Sequence, residues 1–156
     1  MRTKQLWTES TYTEDQILEA AERILRKRLE RVGKIGEPSE AGSYLRAHCA
    51  HLEREVFGCI FLDTQHRILS VEDLFWGSIS NAEIHPREIV KRGLLTNAAA
   101  IVAFHNHPSG CLEPSSSDRA VTARIKAGLD LVDIRLLDHF VVSAAGFTSM
   151  AARGWV

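Results

Sequence analysis

The stretch "FHNHPSG" at residues 104–110 holds two histidines separated by one residue, and it follows an apolar run. Alternate residues of a β-strand point to the same face, so His105 and His107 present their imidazoles side by side if the strand continues that far. Two imidazoles held together favour a divalent metal ion over two protons, and zinc accepts nitrogen ligands readily. The pair therefore indicates a metal site at a strand end.

A catalytic zinc ion takes three protein ligands and leaves its fourth position to water, so a third ligand is needed. Asp118 is the candidate, because it lies in the first turn of a predicted helix that a short loop brings back to the strand end. A second explanation stays open. Ser115 and Asp118 fit the capping box of a helix start, which needs no metal, and a His-x-His pair alone is a weak signal.

The elements that must position these residues follow from apolar periodicity and turn residues. Helices are predicted at 13–32 and from Ser39, Pro86 and Ser115, and strands at 55–63, 68–75, 77–84, 98–104, 133–143 and 146–150. This order predicts an α/β fold, a mixed β-sheet packed by helices. The break at 33–38 divides the chain into a short N-terminal helical extension, residues 1–35, and a domain of residues 36–156.

Composition narrows the class of protein. Lysine and arginine number 19 against 20 acidic residues, a balance unlike that of a dedicated nucleic-acid binder. No apolar stretch is long enough to span a bilayer, and residues 1–16 lack the apolar run of a signal peptide, so we expect a cytoplasmic protein with no membrane partner. Three cysteines give no disulfide framework. Cys49 and Cys59 are predicted in the core, and Cys111 is either a further metal ligand or a turn residue.

The segment "HNHPSGCLEPSSSD" resembles the JAMM motif, which reads His-x-His-Pro, six residues, Ser, two residues, Asp. Glu55 in "EREVFGCIFLD" matches the upstream glutamate of that motif. The segments "HPREIV", "FHNHPSG", "PSSSD" and "LLDHFVVS" resemble the RadC-like branch of these JAMM (MPN-like or JAB-like) zinc metalloproteases, over about residues 36–156. The resemblance implies a JAMM/MPN-like fold with a cytidine-deaminase-like three-layer architecture.

The resemblance also implies a chemistry. His105, His107 and Asp118 would bind one zinc ion per chain, Glu55 would act as the general base, and Ser115 would donate a hydrogen bond to the oxyanion. The expected function is hydrolysis of an amide bond, peptide or isopeptide, in a polypeptide substrate that the sequence does not identify. From the residues alone, Glu55 could equally be a solvated charge at a strand edge, and Ser115 a helix cap.

Two other classes of function are kept as alternatives. RadC-like proteins are often named for DNA repair, so the chain could be a nucleic-acid-associated factor or a metal-dependent nuclease, although its charge does not support nucleic-acid binding. Longer members carry a helix-hairpin-helix module; with one helix predicted before residue 36, this chain resembles the short, prophage-associated type. A non-catalytic metal-bound interaction module is the third class, and an incomplete motif would favour it. Nothing in the sequence indicates an oligomeric state.

Several polar residues keep two interpretations. Asp138 and His139 either orient a ligand histidine or are hydrogen-bonded polar residues of a strand. The segment at 85–88 either contacts substrate or begins a helix, where Glu88 suits the helix dipole. Asn106 points opposite to its histidine neighbours and is predicted to fix the loop. Three further histidines are predicted at the surface: His48, His51 and His66.

Overall fold

The structure is a computed structural model that describes residues 11–32, 35–77 and 83–156. The helices are α1 Glu14–Val32, α2 Pro38–Cys49, α3 Pro86–Leu95 and α4 Ser116–Asp130, with a short 3-10 helix at Ala151–Arg153. The strands are β1 Val56–Leu62, β2 Ile68–Trp76, β3 Ala100–Asn106, β4 Arg135–Ser143 and β5 Gly146–Ser149. No helix in these ranges is long and apolar enough to cross a membrane.

The five strands form one mixed sheet in the order β2-β1-β3-β4-β5. Strands β3 and β4 are parallel and joined by α4, and the other neighbouring pairs are antiparallel. Apolar side chains cover both faces, with Tyr44 and Leu45 of α2 in one core cluster and Ile89 of α3 and Ile125 of α4 in the other. The sheet thus lies between two helical layers, which confirms the predicted α/β class and its mixed, helix-packed sheet.

Strand β3 is buried along its whole length, and its residues alternate between the two cores. Val102 and Phe104 face the α2 layer, whereas Ile101 and Ala103 face the layer of α3 and α4. His105 continues the second set and therefore points toward α4. Because of this alternation, α4 and not α2 is the helix whose side chains can contact His105.

Several element boundaries lie one to three residues from their predicted positions. Strand β3 continues to Asn106 rather than ending at Phe104, because its pairing with β4 extends through Asn106. Helix α2 ends at Cys49 rather than reaching Leu52, whose N–H bonds to the Cys49 carbonyl in a turn. The predicted strand at 77–84 falls largely on residues 78–82, which lie outside the described residues; positions 77, 83 and 84 are not in a strand.

Gly58 leaves room for the Phe104 ring beside β1. It pairs with Phe104 of β3, and a Cβ atom at Gly58 would lie 2.4 Å from Cζ of that ring and 2.5 Å from the backbone oxygen of Glu72. Only glycine gives the Phe104 ring this position beside β1. The residue thereby fixes the packing of β3 immediately before His105.

His48 joins the N-terminal helix to the domain, which corrects the prediction that it lies at the surface. Its Nδ1 is 3.0 Å from the Glu22 carboxylate on α1, and its Nε2 is 2.8 Å from the Asp73 carboxylate on β2. Burial acts to lower the pKa of His48, but the bonds to Asp73 and Glu22 outweigh it and raise that pKa. When protonated, His48 donates to both carboxylates and so bridges α1, α2 and β2. The proposed division at residue 35 stays a prediction.

Candidate metal site

The end of β3 and the start of α4 bring three metal-ligating side chains together. His105 is the penultimate residue of β3, and the His107 N–H donates to the Val142 carbonyl at 2.8 Å, which prolongs the β3–β4 pairing past the strand. Both imidazoles consequently point to the same side. The Nε2 atoms of His105 and His107 are 3.0 Å apart, and Asp118 places Oδ1 3.4 Å from the first and Oδ2 3.5 Å from the second.

These separations fit a bound divalent ion. An ion about 2.0–2.1 Å from each ligand atom in tetrahedral geometry holds those atoms about 3.3 Å apart. Two imidazoles and one carboxylate make a donor set that zinc accepts and that other divalent metals also accept. His105 and Asp118 are buried, while the His107 side chain is 13% exposed. The three residues can thus hold a metal ion that is reachable from the His107 side.

The electrostatics put His105 and Asp118 in the charge state that binds metal, whereas a metal ion must displace a proton from His107. Burial lowers the pKa of His105, and the bond to Asp118 raises the pKa of His107. Burial acts to raise the pKa of Asp118, but its bonds to both histidines bring it well below the usual range. Asp118 is therefore ionised and His105 neutral near pH 7, as metal ligands must be.

Asp118 is also the helix-capping residue that the sequence suggested. Its Oδ2 accepts from the Ser115 N–H at 2.7 Å, and its own N–H donates to the Ser115 Oγ at 3.0 Å. This capping box holds the first turn of α4 and fixes the carboxylate next to the histidines. The two explanations for Asp118 are thus compatible. A role for Ser115 at an oxyanion stays a prediction, and the exposed hydroxyl caps the helix.

Glu55 lies directly before β1, at the level of His107. Phe57 of β1 pairs with His105 of β3 in antiparallel register, and continuing that register by two residues sets Glu55 opposite His107. Opposite residues of an antiparallel pair share a face, so the carboxylate lies on the side of the imidazoles. After the larger effects of burial and Asp118, Glu55 also acts to raise the pKa of both histidines. Its role as a base stays a prediction.

Asn106 secures the segment that carries Glu55. Its Oδ1 accepts from the Val56 N–H at 2.7 Å, and its Nδ2 donates to the carbonyls of Arg54 at 3.1 Å and Leu52 at 3.4 Å. The fully buried amide points away from the histidines, as strand alternation predicted. It fixes the chain before β1, and in this way positions Glu55.

Asp138 and His139 are adjacent in sequence but have different roles. The Asp138 carboxylate accepts bonds from Ser149 Oγ at 2.6 Å and the Ala151 N–H at 2.9 Å, so it is a hydrogen-bonded residue that secures β5 and the turn after it. The His139 ring instead reaches the site, with Nε2 2.8 Å from Nδ1 of His105. His139 is thus the member of the pair whose ring contacts a candidate ligand, and an orienting role stays a prediction.

Two residues at the site were not foreseen from the sequence. Thr122 lies on α4 one turn after Asp118, with its hydroxyl 2.6 Å from Nδ1 of His139. Phe57 stacks on His105 at 6.2 Å and meets His139 edge-on at 5.3 Å. The helical spacing of four from Asp118 and the strand spacing of two from Glu55 are the signals that could have found them.

Cys111 and the segment at 85–88 are the remaining residues that the sequence singled out. The backbone carbonyl of Cys111 accepts from Nδ1 of His107 at 2.9 Å, while its exposed thiol makes its contact at 3.8 Å with the carbonyl of Glu113. His85 lines a cleft beside α4 together with Ser117 and Arg124. Glu88 lies in the first turn of α3, as its helix-dipole interpretation requires, and Arg87 pairs with it at 3.6 Å.

A mixed sheet in an α/β/α arrangement, with a His-x-His pair at a strand end and an aspartate in the next helix, defines a JAB-type domain. The family described as the RadC-like JAB domain matches residues 35–155. The chain belongs to this family.

Its curated relatives include proteins named UPF0758 protein. One from Xanthomonas campestris pv. campestris (strain 8004) is 53% identical over 139 residues, covering 89% of this chain and 62% of the relative. One from Ectopseudomonas mendocina (strain ymp) is 49% identical over 140 residues, covering 90% and 62%. The chain thus spans about three fifths of the length of these relatives.

Proposed function

We propose that this chain is a zinc-dependent hydrolase that cleaves an amide bond, peptide or isopeptide, in a polypeptide substrate. The observation that supports it most is the juxtaposition of His105, His107 and Asp118 at separations that suit one ion, with Glu55 on the same side. The family match is consistent with a metal-dependent hydrolase. A zinc ion held by the three residues would polarise a carbonyl group and lower the pKa of a water molecule.

The side chains around this group divide the proton transfers between them. Glu55 accepts the proton of the attacking water and passes it to the departing amine, which cannot leave as an anion. The Ser115 hydroxyl accepts from the Asp118 N–H, a bond that leaves its own proton to donate to the oxygen of the attacked carbonyl. Asn106 keeps the backbone on both sides of Glu55 in place, so the base stays on the His107 side.

The substrate approaches from the open side of the group. Ser115 is exposed there and His107 is partly exposed, whereas His105 and Asp118 are buried. The cleft lined by Ser117, His85 and Arg124 begins next to Asp118 and offers room for substrate residues beside the cleaved bond. A polypeptide lying along this surface would present its carbonyl to Ser115 and its leaving amine to Glu55.

A panel of substrates tests the reaction class. The zinc-loaded chain is incubated with a peptide pool, an isopeptide-linked conjugate, and single- and double-stranded DNA, each with and without a chelator. We expect new amino termini or released conjugate by mass spectrometry, and loss of both with the chelator. Metal-dependent cutting of DNA without amide cleavage, abolished in Glu55→Gln, would reject the proposal in favour of a nuclease. Binding of zinc with no cleavage of any substrate would favour the non-catalytic module.

A further inference from the structure

A continuous line of hydrogen bonds runs behind His105, on the side away from the candidate ion. Its Nδ1 lies 2.8 Å from Nε2 of His139. The other ring nitrogen of His139 lies 2.6 Å from the Thr122 hydroxyl, which in turn lies 2.6 Å from the backbone carbonyl of Asp118. The line therefore begins at the backbone of one candidate ligand and ends at the ring of another.

The direction of each bond follows from the one group that can only accept. The Asp118 carbonyl has no proton, so the Thr122 hydroxyl donates to it. With its proton committed, that hydroxyl accepts the Nδ1–H of His139. A neutral imidazole carries one N–H, so Nε2 of His139 is then an acceptor and receives the Nδ1–H of His105. The remaining nitrogen of His105, Nε2, is left with a lone pair directed at His107 and Asp118.

We propose that His139 and Thr122 are positioning residues that fix the tautomer of His105 with its Nε2 lone pair directed at the metal. This inference rests on the proposed zinc site but not on the reaction it performs. His107 directs Nε2 at the metal by a different route, because its Nδ1–H donates to the Cys111 carbonyl. When a metal ion replaces the proton between the two rings, both imidazoles offer Nε2, and these atoms lie 3.0 Å apart.

The surroundings of His139 exclude competing partners. The ring is fully buried, its edge meets Phe57, and that phenyl ring also stacks on His105. Thr122 is buried to the same degree, one helical turn after Asp118. A wrong tautomer of His139 would put two donors or two acceptors face to face at one of these contacts, in a place that water does not reach. The cost of such an unpaired buried group is the physical basis of the selection.

The test compares variants that keep or lose the hydrogen-bond donors and acceptors at positions 139 and 122. His139→Gln retains an oxygen to accept from His105 and an amide to donate to Thr122, whereas His139→Leu retains neither. Thr122→Ser keeps the hydroxyl, and Thr122→Val removes it at nearly constant shape. Ile125→Val, in the same core one turn farther along α4, is the control for a general loss of stability. Each full-length variant is checked for folding by circular dichroism.

Two readouts are used. Nitrogen-15 NMR of the histidines in metal-free protein reports which ring nitrogen carries the proton, and competition with a chelating dye reports zinc affinity. We expect His105 protonated at Nδ1 in the original chain. Zinc affinity should fall about 10–100-fold in His139→Leu and in Thr122→Val. It should stay within a few-fold of the original value in His139→Gln, Thr122→Ser and the Ile125→Val control.

A proton on Nε2 of His105 with a bare Nδ1 in the original chain would overturn the inference. Equal zinc affinities of the Leu and Gln variants at position 139 would also overturn it. If His139→Leu does not fold, the Thr122 pair decides, and equal affinity of Val and Ser rejects the role. A chain that shows the expected tautomer and affinities but cleaves no amide would support this inference and reject the proposed reaction.

Discussion

Substitution of Asp118 separates its two structural roles, helix capping and metal binding. One carboxylate oxygen accepts from the Ser115 N–H at 2.7 Å, and the two oxygens lie 3.4 and 3.5 Å from the histidine nitrogens. Asp118→Asn keeps an oxygen for the Ser115 N–H but removes the charge that a metal ligand supplies. Asp118→Ala removes both. We therefore expect both variants to lose zinc and only the alanine variant to lose the cap.

Zinc binding and the helix cap change the melting temperature by amounts that can be measured separately. Zinc at 100 times its dissociation constant stabilises the folded chain by about 2.7 kcal/mol. For a chain of this length, each kcal/mol moves the melting temperature by about 2–4 °C, so zinc should raise that of the original chain by about 5–11 °C. Loss of the cap costs about 1 kcal/mol, which lowers the melting temperature of Asp118→Ala by a further 2–4 °C, in zinc or in chelator.

Thermal unfolding followed by circular dichroism, with zinc and with chelator, measures both effects. The zinc-induced rise within each variant is the quantity compared, so changes in the metal-free protein cancel. Ser115→Ala is the matched control, since it weakens the same cap and should keep the zinc-induced rise. A full zinc-induced rise in Asp118→Asn would refute Asp118 as a ligand and leave only its capping role.

Three further outcomes are expected. Gly58→Ala should destabilise the chain by about 1–3 kcal/mol in chemical denaturation, because its Cβ would collide with Phe104, whereas Gly36→Ala, with open space around it, should not. His48→Gln should cost about 2 kcal/mol below about pH 6. Because the folded state raises the pKa of His48, that difference should shrink as pH rises above about 6.5 through the folded-state value; a constant difference would contradict the ion-pair account. Cys111→Ser should keep the zinc content measured by mass spectrometry, and a loss would make the thiol a ligand.

The sequence was most informative where residues that are close in space are also close in sequence. Alternation along β3 put His105 and His107 on one face, and the loop to α4 is short enough that Asp118 returns to the same strand end. Apolar periodicity was sufficient for the helices because each buries one face. The extension of β3 to Asn106 was missed, since it depends on pairing with β4, a strand 29 residues farther on.

The contacts that could not be predicted join residues distant in sequence through their polar atoms. His139 follows His105 by 34 residues, and nothing local indicates that its ring, and not the carboxylate of Asp138, turns toward the site. The same limit applies to His48, whose two carboxylate partners come from different elements. The parallel pairing of β3 and β4 determines that the His139 ring faces His105. The packing of α1 on the domain determines that His48 meets Glu22.

In the proposed mechanism, Glu55 acts as a base beside a metal ion held by other residues. The most direct measurement is the rate of amide cleavage per bound zinc in the original chain and in Glu55→Gln, with zinc occupancy measured in the same samples. We expect equal zinc occupancy in both proteins and a cleavage rate lower by about 100-fold or more in the variant. Loss of zinc from Glu55→Gln would make Glu55 a ligand, and an unchanged rate at equal occupancy would show that the base lies elsewhere.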